Sequence, residues 1–149
     1  MKLATLLICS GLLSFAALAA GQQTDDVSNA VRILKKAKVW DLTGGFLYGP
    51  SDELLATRVI AKSPLAERHF LGILKTGSDV GRLFGALGLR FIRSKKLEDP
   101  SVTAGIKGKE VQALHGCIMD REKDTEILRQ IKSGKLDELE TQPKEPAKS

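Results

Sequence analysis

His115 and Cys117, separated only by Gly116, are the residues of this sequence whose types and spacing could carry out a reaction. A cysteine attacks as its thiolate, and a histidine close in space supplies the base that generates it. Side chains two positions apart in an extended segment point to one face, so a strand through 115–117 would set the imidazole beside the thiol. Thiol chemistry is therefore the reaction class open to this chain. The competing reading makes Cys117 a small buried hydrophobe between Gly116 and Ile118. No aromatic–glycine nucleophile signature surrounds it. The other histidine, His69, falls in the middle of a helical stretch and reads as a half-buried edge residue. The non-enzymatic reading leads, and Cys117 with His115 are the catalytic candidates it must displace.

Metal chemistry has less support. Two histidines and Cys117, the one cysteine left once the signal segment carrying Cys9 is removed, do not complete a four-ligand zinc set without carboxylates, and no cluster has ligand spacing. Neither a metal nor any other cofactor is expected. The composition suits one modest domain: 149 residues, 42% of them hydrophobic. Aromatics are only 5%, so the core must be built from Leu, Ile, Val and Ala. Lysine and arginine exceed aspartate and glutamate by 23 to 18, but the excess is dispersed and lacks interleaved aromatics. A nucleic-acid partner is not expected.

The two ends of the chain differ from its middle. Residues 1–20 read as a signal peptide of bacterial type, with Lys2 as the positive start and Leu3 to Leu18 as the apolar stretch. Ala17-Leu18-Ala19 matches the small-x-small cleavage pattern, which predicts a mature chain starting at Ala20 or Gly21 in the periplasm or outside the cell. Isoleucine before Cys9 argues against a lipid anchor there. Cleavage leaves no stable membrane span and makes Cys117 the lone cysteine, so an intermolecular disulfide and a homo-oligomer both stay open. Residues 138–149 carry Pro143 and Pro146 among charges and read as a disordered tail. Residues 21–137 form the domain between them.

Within that domain helical signals dominate. Thr24 or Asp25 could cap a helix with Val27, Ala30, Val31 and Leu34 on one face, and Lys35, Lys36 and Lys38 suit its C-terminal end. Trp40 reads as a core anchor ahead of ligand stacking. Asp41 to Pro50, with Gly44-Gly45 and Gly49-Pro50, reads as a structural loop. Ser51 caps a helix whose rows Leu55, Val59 and Ala56, Ile60 are apolar; Pro64 opens a second helix, closed by a left-handed Gly77. Ser78 caps a third, where Val80, Leu83, Phe84, Leu87 and Phe91 give the strongest helical period in the chain. Gly81, Gly85 and Gly88 lie on another side of it and call for a closely packed neighbour. Arg90, Arg93, Lys95, Lys96, Lys107 and Lys109 could form a basic patch if the polar connection 94–109 folds back. Val111 to Met119 alternates as a short extended segment or a hairpin around His115-Gly116, with a helical turn as its rival. Asp120 is expected to cap a last helix from Arg121 to Ser133, closed by Gly134. The fold class is mainly α: one small helical domain of about five short helices, with one short extended segment or hairpin near 111–119.

The order of these features resembles that of a group of small exported bacterial proteins of unknown function. The likeness spans about residues 40–134 and rests on Gly44-Gly45-Phe46, Ser51-x-Glu53, Ala66-x-x-x-Phe70-x-x-Ile73-Leu74, Gly81-Arg82-Leu83-Phe84-Gly85-Ala86-Leu87-Gly88-Leu89, Gly116-Cys117-Ile118 and Ile131-x-x-Gly134. The helical run also resembles HEAT-type repeats, with about one and a half helix pairs and no fixed period. Neither resemblance implies an activity. The expected function is an exported non-enzymatic module that binds a protein or a cell-envelope component, with a small thiol-dependent enzyme using Cys117 and His115 as the alternative.

Overall fold

The computed structural model describes residues 25–43 and 49–141. Helix α1 covers 25–35, followed by strand β1 (Val39–Asp41) and helices α2 (Asp52–Ala61), α3 (Ala66–Thr76) and α4 (Asp79–Phe91). A one-turn 3-10 helix (Lys95–Glu98) leads to the hairpin β2 (Glu110–His115) and β3 (Ile118–Lys123). Helix α5 (Asp124–Lys132) and a second 3-10 turn (Asp137–Glu140) complete the described fold, which is mainly α with one small sheet.

Helix α4 is the axis. Between Val80 and Phe91 only Arg82 and Arg90 reach solvent. A helix apolar on nearly every side must be enclosed on nearly every side. The neighbours α2, α3 and α5 surround it and bury Ile60, Phe70, Ile73, Ile127 and Ile131 against it. Each such side chain contributes about 1.5–3 kcal/mol through burial. The glycine row permits the close approach. A Cβ on Gly88 would fall on the Phe70 ring, and one on Gly81 would lie 2.3 Å from the carbonyl oxygen of Leu34, at the end of α1. Ser78 fixes that junction: its Oγ accepts from the Gly81 N–H and donates to the Ala37 carbonyl at 2.5 Å.

The sheet runs β1-β2-β3, with β1 parallel and β3 antiparallel to β2. Val111 and Ala113 turn inward, next to Trp40, which is buried against Phe84 with ring centroids 4.6 Å apart. Trp40 is a core anchor.

Several local expectations need correction. Pro64 does not open α3; Ser63 Oγ accepts from the Leu65 N–H, and this turn delays the helix to Ala66. Gly77 is extended (φ −76, ψ 166) rather than left-handed, and is small because a Cβ there would lie 2.7 Å from the Ile73 oxygen. On α2, Leu54 joins Ala56 and Ile60 inside, whereas Leu55 and Val59 are each 39% exposed. Residues 121–123 are strand, because the six-pair ladder with β2 extends to Lys123, and α5 begins at Asp124. The segment read as a tail from 138 begins with the ordered turn Asp137–Glu140, where Leu139 packs on the core and its carbonyl accepts from Arg58. The signal segment, the Gly44–Tyr48 part of the loop, the Thr24 cap and residues 142–149 lie outside the described residues.

Candidate functional site

The hairpin β2–β3 carries both catalytic candidates and two of the five exposed large apolar side chains, the most exposed one among them. His115 pairs with Ile118, leaving Gly116-Cys117 as a two-residue turn. Gly116 has φ +62, a left-handed value that its missing Cβ permits at the first central position of such a turn. The turn therefore lies one residue later than expected. His115 ends one strand while Cys117 sits in the turn, so they do not share the face of one extended strand. Cys117 is exposed, which overturns its reading as a buried hydrophobe.

His115 has another partner. Its Nε2 lies 2.5 Å from Oε1 of Glu122, across the ladder. The pair sits at the surface, with His115 56% exposed. A histidine held by a carboxylate is oriented as a base would be. The geometry brings His115 to Glu122 and leaves Cys117 on the outside of the turn.

Beside the turn, Ile118 is 69% and Met119 54% exposed, at the start of β3. Large apolar side chains in this protein are otherwise mostly buried, so two adjacent exposed ones on a projecting hairpin are notable. β3 is an edge strand, paired with β2 alone among the described residues. Its sequence alternates sign: Asp120 and Glu122 share one face with Ile118, and Arg121 and Lys123 share the other with Met119. Sequence alone ends the hairpin at Met119 and assigns residues 120–123 of this strand to a helix, because Asp120 resembles a helix cap. The strict alternation of charge from Asp120 to Lys123 is the period-two signal that identifies it.

The remaining candidates scatter. His69 is half-buried in α3. The basic residues do not form one patch, since Arg90 binds both carboxylate oxygens of Asp137, while Arg82 and Lys109 converge on Asp79. A groove of about 660 Å³ lies beside the Arg90–Asp137 pair. Arg90, Arg93 and Lys95 there face Glu98, Asp137 and Glu140, so it has no dominant sign, and neither His115 nor Cys117 lines it. Among the described residues no three His, Cys, Asp or Glu side chains are grouped to hold a metal ion, and no helix is long and apolar enough to cross a membrane. No protein-family model, curated protein or solved structure matches the chain.

Proposed function

We propose that the chain is an exported, non-enzymatic module that binds another protein or a cell-envelope component through the β2–β3 hairpin. The observation that carries this is the exposed Ile118-Met119 pair on a strand whose outer edge is unpaired among the described residues. Exposed apolar side chains beside unsatisfied backbone groups cost solubility unless a partner covers them. Residues 1–20 support export, and the terminus of the secreted chain, read by mass spectrometry, should be Ala20 or Gly21.

A photo-reactive residue at position 118, compared with one at Leu65, which is also exposed but distant in sequence, tests the binding surface. A discrete adduct from 118 and none from 65 is expected. Diffuse labelling from both, or none from either, would remove the hairpin from consideration.

A second reading, thiol chemistry at Cys117 with His115 as base, is favoured by the exposure of Cys117 and by the His115–Glu122 contact. Alkylation rate against pH separates the two. A midpoint well below about 8.5 that shifts upward in His115→Ala marks an activated thiolate. A midpoint near 8.5, unchanged by that substitution, leaves the binding module.

A further inference from the structure

The binding reading can be sharpened to the chemistry of the partner. The pair His115–Ile118 closes a two-residue turn, so it exchanges hydrogen bonds, and so do Ala113–Asp120 and Val111–Glu122 by alternation along the ladder. The backbone groups of Met119, Arg121 and Lys123 consequently point away from β2, to the free edge. The Arg121 N–H confirms the direction: its acceptor is Oδ1 of the neighbouring Asp120, at 2.7 Å, and not a carbonyl of β2. Asp120 keeps one edge donor occupied in the free protein, and a carbonyl from an incoming strand would take its place.

The charges on the strand select what can pair there. Directly opposed residues of an antiparallel pair share a face, and like charges opposed in this way are destabilising. Two copies of β3 related by a two-fold axis would oppose residues of the same parity. Any such register that pairs four or more residues of β3 opposes like charges: Asp120 meets Asp120, or Asp120 meets Glu122 while Arg121 meets Arg121. A second copy therefore leaves like charges opposed along any long pairing, whereas a strand of another sequence can match all four charges. We infer that the free edge of β3 takes an antiparallel extended segment of a different protein, with basic residues beside Asp120 and Glu122, acidic residues beside Arg121 and Lys123, and apolar residues beside Ile118 and Met119. The main chain supplies the hydrogen bonds and the alternating signs fix the register.

This inference rests on the hairpin being a binding surface, and the test keeps the two apart. The probe is the peptide Glu-Lys-Glu-Lys-Val-Ile, titrated into the full mature protein and followed by amide NMR. The Met119 and Arg121 amides should become protected from exchange, with the largest shifts along β3. The double variant Asp120→Lys, Glu122→Lys makes both faces of β3 basic. It should weaken the probe at least tenfold while strengthening Glu-Glu-Glu-Glu-Val-Ile, and an unchanged circular dichroism spectrum will show that it folds. A probe N-methylated at its two central residues, which blocks both of its edges, should not bind. Absence of amide protection at millimolar probe, retained affinity after N-methylation, or shifts confined to another surface would overturn strand addition. If photo-adducts from position 118 persist in that case, the module reading survives without it; if they are absent too, both fall.

Discussion

A Cβ built on Gly88 would lie 2.1 Å from Cε1 of Phe70, so the aromatic ring of α3 occupies the place of the side chain that α4 lacks. Alanine should gain up to about 1 kcal/mol of helix propensity over glycine. Overpacking a closed core costs about 1–3 kcal/mol, and the flat ring held between two helices cannot yield by that distance cheaply. Gly88→Ala is therefore expected to destabilise on balance. Gly72 on α3 is the control, because a Cβ there meets nothing within 4 Å. Gly72→Ala should stabilise by up to about 1 kcal/mol. Urea midpoints of the two variants should move in opposite directions, and a shared direction would refute the packing argument.

Arg93 follows the last turn of α4 with φ 53, the one non-glycine residue with positive φ among the described residues. The Ser94 N–H reaches back to the Leu89 carbonyl at 2.9 Å, a closure that places the residue between them in the left-handed region. A side chain pays about 1–2 kcal/mol for that conformation, part of which glycine returns through its freer unfolded chain. Arg93→Gly should raise stability by about 0.5–1 kcal/mol. A lower thermal midpoint would show that the guanidinium contributes more at this corner than the backbone loses.

Asp124, at the start of α5, is only 1% exposed. Its Oδ1 accepts from the Gly108 N–H at 2.6 Å and its Oδ2 from the Lys107 N–H at 3.3 Å, while its own N–H donates to Lys109. The carboxylate ties the long connection to the final helix. Asp124→Ala would strip two part-buried backbone donors of a charged acceptor, and hydrogen bonds to charged groups contribute about 1.5–3 kcal/mol each. The expected loss is at least about 2 kcal/mol, accompanied by faster exchange of the Gly108 amide. A loss below half of that would mean water replaces the carboxylate without difficulty.

Asp137 holds the Arg90 guanidinium with both oxygens, and that hydrogen bond lowers its pKa from the ordinary 3.8. A carboxylate depressed in the folded state adds stability above its unfolded pKa and loses it as pH falls through the folded one. The pair is half exposed, so its whole contribution should stay below about 1 kcal/mol. Wild type should exceed Asp137→Asn in stability at neutral pH, with the difference vanishing below the ordinary aspartate range. A difference that persists in strong acid would assign the effect to packing rather than charge.

Helix positions were legible because caps and periodicity agree locally. Ser51 and Ser78 accept from the amides three residues on, as their types predict, and the apolar period of α4 faces the core on all sides. What was not legible depends on partners distant in sequence. Residues 121–123 follow Asp120, which has the type of a helix cap, and only the ladder with β2 makes them strand. Gly77 looks like a helix stop of the usual kind, yet its conformation is set by how α4 must leave α3. The place of Cys117 turned on a one-residue difference in where the hairpin bends, and the local signal for the later bend is a glycine, Gly116, at the first central position of a two-residue turn.

The parallel pairing of β1 with β2 imposes an order on how the chain acquires its structure. Val39 meets Gln112, about seventy residues later, with α2, α3 and α4 in between. Closing so long a loop is entropically costly, so the pairing gains most once those helices have condensed and drawn its ends together. A chain emerging amino-terminus first would expose β1 without its hydrogen-bonding neighbour until the hairpin arrives. Until that moment Trp40 lacks the β2 neighbour that helps enclose it, and its burial should report the final step of maturation rather than the first collapse.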